Sequence, residues 1–301
     1  MPVIGYLGAE SPELYASRVT AFRGGLAEMG YVEGRNVAIE FRWAQGDNAR
    51  LPGLASELVK QRVNVIAATG SAPGSLAAKN ATSTIPVVFE MGLDPVGIGL
   101  VRSMNRPGGN VTGVTSLNAQ MSSKRLQMLR DVVGAMQGYA LLVNPTNPKN
   151  AEAAMADVQA VARAGRFEVH VAQAANEQQL AEAFRDFARR GIGGLVLAND
   201  PFFTHRSKEI AALALRDGIA AVHQSRDFVA AGGLMSYGAD IADSHRLAGV
   251  YAGRILKGEK PGDLPVQQSA KLQLFVNLKT AKALGLTVPQ SVLLRADGVI
   301  D

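Results

Sequence analysis

The groups in this chain best able to do chemistry are short polar side chains placed just after apolar runs, and their types suit holding a small molecule. In Thr69-Gly70-Ser71-Ala72-Pro73 an apolar strand meets a glycine turn, a hydroxyl and a helix start with proline in its first turn. Free N–H groups and the positive end of the helix favour an anion there, and Ser71 can add a hydrogen bond. Ser71 could equally serve as a plain helix cap. Asp200, in Asn199-Asp200-Pro201-Phe202-Phe203, offers a carboxylate to a ligand ammonium or a cap before Pro201; Glu90 is its rival, and Asp94 is assigned to capping. Asn144-Pro145-Thr146-Asn147-Pro148 supplies amides and a hydroxyl, or an Asx-type turn. Phe202 and Phe203 could wall an apolar pocket, at least one of them as ordinary packing, and Tyr237 offers a ring face and a hydroxyl. Trp43, the only tryptophan, lines a rim or packs a face.

Catalytic patterns are missing from the sequence. His170, His205, His223 and His245 are scattered, without HExxH or paired-ligand spacing. The chain has no cysteine, which excludes thiol catalysis, Cys-based zinc sites and disulfides. No GxGxxG follows the first strand and no GxxxxGK[ST] phosphate loop occurs. Gly70-Ser71-Ala72-Pro73-Gly74 has its serine second, where a nucleophile elbow needs it third. No catalytic residue, metal or cofactor is assigned, and the chain is read as a non-enzyme.

The elements that must position these groups alternate in an α/β rhythm. Strands are expected at Val3–Leu7, Val37–Trp43, Val63–Ala68, Pro86–Phe89 and Val111–Val114, with helices at Pro12–Gly30, Ala49–Gln61 and Pro73–Ala81. From Asp94 to Thr115 the sequence predicts a turn, a helix opened by Asp94-Pro95, and a second turn at Arg106–Asn110. The second half repeats the pattern. Its strands are Tyr139–Val143, Phe167–Val171, Leu195–Ala198 and Ala221–His223, and its helices Lys149–Ala164, Glu177–Arg190, His205–Asp217 and Ser244–Leu256. Continuous apolar strands between helices imply parallel sheets covered on both faces, and two such runs imply two Rossmann-like lobes. Hinges are expected at Thr115–Asn118 and Ser236–Asp240. Ligands of such sheets lie beyond the carboxyl ends of the strands. That points to Gly8–Ser11 (with Glu10 and Ser11), Thr69–Ala72, Glu90–Gly92 (with Met91), Thr115, Asn144–Asn147, Asn199–Phe203, Gln224–Ser225 and Tyr237.

Composition bounds the class. At 301 residues the chain has room for two domains. It is 47% apolar and 19% charged, and no apolar run reaches membrane-spanning length. Net charge is +5, but Lys124-Arg125 and Arg189-Arg190 are isolated pairs of the kind found on solvated helix faces, which argues against a nucleic-acid partner.

Several stretches carry a family resemblance: Val3-Ile4-Gly5-Tyr6-Leu7, Tyr31–Val37, Thr84–Phe89, Asp94–Thr115, Ala231–Gly238, Arg254–Gly258 and Asn277–Leu286. Over nearly its whole length the chain resembles bacterial periplasmic substrate-binding proteins of ABC importers, the branch named for tryptophan- and tyrosine-like uptake. The resemblance implies two α/β lobes with parallel sheets flanked by helices, joined by a three-crossover hinge, the type I periplasmic binding protein fold. It places residues 1–116 with about 239–266 in an N-terminal lobe and 117–238 with about 267–301 in a C-terminal lobe. It further implies a monomeric periplasmic receptor whose secretion signal lies outside this sequence. Such a receptor closes on a small ligand, an amino acid (aromatic ones included) or a related carboxylate, and delivers it to ABC permease subunits. Two alternatives stay open: an enzyme of the two-lobed epimerase or glycosyltransferase type, and the sensing module of a regulator or receptor.

Overall fold

A computed structural model describes residues 1–134, 138–269 and 271–301. The chain forms two compact units, Met1–Leu117 with Asp240–Ala270, and Asn118–Ala239 with Lys271–Asp301.

The first unit begins β1 (Val3–Gly8), α1 (Pro12–Glu28), β2 (Ala38–Trp43), α2 (Leu51–Lys60), β3 (Val65–Thr69), α3 (Ala72–Ala81), β4 (Val87–Met91) and β5 (Val111–Thr115). The second unit follows with α4 (Ser122–Val133), β6 (Tyr139–Val143), α5 (Pro148–Gly165), β7 (Val169–Gln173), α6 (Glu177–Arg189), β8 (Gly194–Leu197), α7 (Pro201–His205), α8 (Ser207–Arg216), β9 (Ala220–His223), α9 (Arg226–Ala230) and β10 (Met235–Ala239). The chain then returns α10 (Ile241–Leu256) and β11 (Gln267–Gln268) to the first unit, and ends in the second with β12 (Leu272–Asn277), α11 (Leu278–Ala283), α12 (Gln290–Leu293) and β13 (Gly298–Ile300).

The first sheet has the order β11-β5-β4-β3-β1-β2 and all its pairings are parallel. The second has the order β13-β12-β10-β9-β8-β6-β7, with β10–β12 antiparallel and the remaining pairs parallel. Strands such as β3, β4 and β6 are apolar on both faces because helices cover both, so alternation is lost and continuous burial replaces it. In the first unit Ile4, Tyr6, Phe22 and Leu26 pack with Tyr251, Ala252 and Ile255 of α10. The second unit has a separate apolar layer on each face of its sheet.

Where structure and sequence expectation differ, local chemistry explains it. Asp94 does start a turn, its Oδ1 accepting the Val96 N–H at 2.9 Å, but no helix follows. Gly99 takes φ +71, which reverses the chain and carries Leu100 and Val101 into the interior. The segment expected as a second hinge, Ser236–Asp240, is mostly β10, paired with β12 up to Ala239 and with β9 only as far as Ser236, and the passage between the units falls at its end, Ala239–Asp240. The helix expected over His205–Asp217 is α8, and an unexpected short helix, α7, precedes it and ends at His205.

Candidate functional site

An open parallel sheet leaves a crevice where the strand order reverses, because neighbouring strands there send their connections to opposite faces. In the first sheet that point lies between β1 and β3, with Gly8 opposite Thr69 in register. The two loops that meet there are Gly8–Ser11 and Thr69–Ala72. Ser11 caps α1, its Oγ accepting from the Leu14 N–H at 3.4 Å, and Ser71 caps α3, its Oγ accepting from the Gly74 N–H at 3.0 Å. Capping does not exhaust the Ser71 hydroxyl, whose hydrogen is still available to donate. In the first turn of α3, Pro73 has no N–H and that of Gly74 is taken, so Ala72 retains an orphan donor.

Gly70 is required in this turn. It adopts φ +90, and a Cβ on it would stand 1.6 Å from the Tyr15 hydroxyl oxygen. Tyr15 comes from α1 and is wholly buried, its ring set edge-on to Trp43 and to His245, each at 5.6 Å, with the Arg18 guanidinium 4.5 Å from its centroid. Its hydroxyl makes no hydrogen bond among the described residues. Burial holds the phenol well above its ordinary range, so it stays a donor at any physiological pH. The Thr69 hydroxyl lies against Tyr6.

Beside this turn sits Glu90. Its Oε2 accepts the Gly70 N–H at 3.1 Å, and that N–H also meets the Glu90 carbonyl at 2.8 Å. Burial pushes the Glu90 carboxyl up to about 7, against the pull of Arg18 and of the Gly70 N–H. His245 of α10 lies 3.8 Å from Glu90, and its Nδ1–H donates to the Ile241 carbonyl at 2.9 Å. Burial, then the Arg18 charge, pulls its ring down to about 3. A neutral imidazole beside a carboxyl that titrates near neutrality is a polar contact and not an ion pair.

In the second sheet the order reverses between β6 and β8, and the loops there are Asn144–Asn147 and Asn199–Phe203. Asn144, Asn147 and Asp200 form one buried cluster, with the exposed Thr146 at its edge. Asp200 Oδ1 accepts from Asn144 Nδ2 at 2.8 Å and from the Phe202 N–H at 2.9 Å, and Oδ2 accepts from Asn147 Nδ2 at 2.9 Å. Asn144 Oδ1 in turn accepts from the Thr146 N–H and hydroxyl. Burial raises the Asp200 carboxyl while its three donors pull it back. A carboxylate can accept about four hydrogen bonds, so this one keeps capacity for another donor. Capping and a binding role again coexist.

With these two clusters in place, comparison with known proteins decides the family. Residues 9–300 match the model of a family described as ABC transporter substrate binding protein. The chain belongs to this family. A curated relative, the tyrosine-binding protein of Clostridioides difficile (strain R20291), is 27% identical over 261 residues, covering 87% of this chain and 74% of that one. Two solved structures share the fold at 24% identity, each covering 99% of both chains. One is an ABC domain from Streptococcus pneumonia in complex with L-Trp, at a TM-score of 0.90. The other is a conserved domain protein from Vibrio cholerae O1 biovar El Tor, at 0.91.

Not every sequence-predicted residue of this substrate-binding protein joins a cluster. Glu10, Thr69, Gly70, Ser71, Ala72 and Glu90 gather at the first switch point, while Asn144, Thr146, Asn147 and Asp200 gather at the second. Thr115 instead serves its own loop, donating to the Leu93 carbonyl at 2.7 Å, and the Met91 carbonyl accepts the Ser116 N–H. Ser225 caps α9 and bonds Asp227. Phe202 lies with Phe203 in an apolar layer, and the Tyr237 ring packs against the other. Trp43 stacks on Phe41, two residues earlier on the same face of β2. Tyr15, Arg18 and His245 were missed, although Tyr15 and Arg18 lie on the Val19–Phe22–Leu26 face of α1. Lys124-Arg125 is a correction: Arg125 is fully buried and not on a solvated face. Among the described residues, no group of three His, Asp or Glu side chains is placed to hold a metal ion.

Proposed function

We propose that this substrate-binding protein takes a zwitterionic amino acid of the aromatic class outside the cytoplasm, as a monomer, and delivers it to the permease of its ABC importer. The observation that carries the reading is that both switch points hold built polar clusters of opposite preference. The Ala72 N–H and the Ser71 hydroxyl, with the α3 N-terminus behind them and the Tyr15 hydroxyl beside Gly70, offer donors that suit a carboxylate. Asp200 offers a buried carboxylate with spare acceptor capacity, which suits an ammonium. A relative named for tyrosine binding and a similar fold solved with L-Trp support the aromatic class. A nucleic-acid partner is disfavoured, since arginines such as Arg23, Arg42, Arg206, Arg246 and Arg254 pair with neighbouring carboxylates and form no stripe.

The test is a thermal-shift panel on protein unfolded and refolded to remove carried-over solute. L-tyrosine or L-tryptophan at a hundredfold its dissociation constant should add about 2.7 kcal/mol of stability. Ser71→Ala and Asp200→Asn should each weaken binding by about 1 kcal/mol, one hydrogen bond's worth. Stabilisation by sugars or nucleotides alone would overturn the reading.

A further inference from the structure

The chain passes between its two units at Leu117–Asn118, at Ala239–Asp240 and again near 270, and on the second unit the first two passages are tied to one buried side chain. Arg125 stands in the first full turn of α4 with no exposed surface. Its Nε donates to the Tyr237 carbonyl at 2.7 Å, and its Nη2 donates to Asn118 Oδ1 at 3.3 Å. The same Asn118 oxygen accepts the Ala239 N–H at 3.0 Å. Asn118 is the first residue after one passage and Ala239 the last before the other. A single guanidinium, through a single amide, therefore holds both ends of chain. Gly238 completes the fit, because a Cβ there would lie 2.6 Å from the Gln224 carbonyl and 2.9 Å from Asn118 Oδ1.

Burying an arginine is expensive, since it must leave water without a full set of partners. Burial pulls Arg125 down to about 9, with Asp157 opposing, so the group is still charged at neutral pH. Its Nη1 finds no hydrogen-bond acceptor among the described residues. An apolar residue at this helix position would pack without that cost, as Leu126 and Leu129 do. The arginine's distinctive product is the set of bonds to 118 and 237–239. On the other side of the first passage, Leu117 takes φ +51, a left-handed conformation costly for a branched residue, with its N–H on the Thr115 hydroxyl at 3.3 Å.

We propose that Arg125 and Asn118 form an internal pin that fixes where two of the connections leave the second unit, confining flexure of the chain to residues 116–117 and 240. This makes Arg125 a positioning residue, acting through Asn118 and the 237–239 backbone, and the proposal holds whatever solute the protein carries.

The experiment uses the full chain without added solute. Amide hydrogen exchange is followed at 117–119 and 237–240 in the parent, in Arg125→Lys, in Asn118→Ala, and in Leu129→Ala as a control that damages the α4 packing without touching the pin. Both pin variants should exchange about tenfold faster at Ala239, the scale of a lost charge-assisted hydrogen bond, while strands β6 and β8 change no more than in the control. A pair of cysteines at exposed Glu40 and Glu182, unique in this cysteine-free chain, reports the spread of distances between spin labels. That spread should widen in the pin variants and not in Leu129→Ala. Exchange at Ala239 that merely follows global stability, with an unchanged distance spread, would reduce Arg125 to a packing residue and overturn the proposal. Should Arg125→Lys fail to fold, Asn118→Ala decides the matter alone.

Discussion

At the residue scale the sharpest consequence concerns Glu90 and His245, two buried groups displaced from their ordinary values in ways that oppose each other. Glu90 moves from 4.5 up to about 7, so between those values the folded chain holds a proton that the unfolded chain has released. Its contribution to stability is full at low pH and is lost as pH rises through that window. His245 moves from 6.5 down to about 3, so the unfolded chain holds the extra proton, and its contribution is lost as pH falls through that range. Each effect is on the order of a few kcal/mol, and the windows overlap between about 4.5 and 6.5, where the slopes cancel. Urea unfolding midpoints of the parent should be nearly flat there. Glu90→Gln should leave a stability that rises with pH across this window, and His245→Phe one that falls from about 4.5 to 7. Two variants as flat as the parent would mean that the pair does not titrate inside the fold. Tyr15 gives a second residue-scale outcome. Tyr15→Phe keeps the ring contacts to Trp43 and His245 and removes only the hydroxyl. Under the proposed carboxylate site it should weaken L-tyrosine by about 1 kcal/mol and leave tyramine, which has no carboxylate, unaffected. Equal loss for both would place the hydroxyl elsewhere than on the carboxylate.

At the scale of elements, α1 and α10 pack with their backbones almost touching, and glycines make this possible. A Cβ on Gly25 would come within 1.9 Å of the Arg246 carbonyl, and one on Gly249 within 2.1 Å of the Phe22 carbonyl. The neighbouring Gly24 faces open space. Helix propensity alone predicts that Ala in place of any of the three stabilises, by roughly 1 kcal/mol. Packing reverses the sign at two of them, because the obstructing atoms are backbone and cannot rotate away. Gly24→Ala should therefore raise the melting temperature, whereas Gly25→Ala and Gly249→Ala should each cost about 1–3 kcal/mol. Parallel changes at adjacent positions 24 and 25 would refute the close approach. This contrast also marks what could be read from the chain. The α/β alternation and the caps Ser71 and Asp200 were legible, since apolar runs and short acceptors at or just before a proline are local signals, whereas Ser11, read only as a ligand group, is a cap as well. The burial of Arg125 was not, because whether a basic residue on a helix meets solvent or a carbonyl depends on strands far away in sequence. Nor did Asp94–Gly99 show that its glycines would keep a turn from becoming a helix.

At the scale of the molecule, the first unit is built from two stretches far apart in sequence, and this limits how it can be divided. Residues 1–117 contain β1 to β5 and therefore most of the sheet, yet Ala248, Tyr251, Ala252, Ile255 and Leu264 of the same core come from beyond residue 239. The Thr112 hydroxyl donates to the Leu264 carbonyl at 2.7 Å, and β11 pairs with β5. Nothing in the amphipathic pattern of α10 distinguishes it from the other helices, and only the spacing of Gly249 and Gly253 hints at a close helix partner. Residues 1–117 alone would leave the α1 face bearing Phe22 and Leu26 uncovered, at about 25 cal/mol for each Å² of apolar surface left in water. That fragment should be expanded, with weak near-UV circular dichroism and no cooperative urea transition. Joining residue 117 to 240 through a short linker should restore folding. Asn118 and Ala239 are hydrogen-bonded to each other at 3.0 Å, so a flexible linker of about four Gly and Ser residues spans the gap. The joined chain, 1–117 with 240–269, should then melt in one cooperative step. A cooperative transition from 1–117 by itself would show that α10 only lies on the unit's surface, and a joined chain that stays unfolded would show that the first unit depends on the second for its stability.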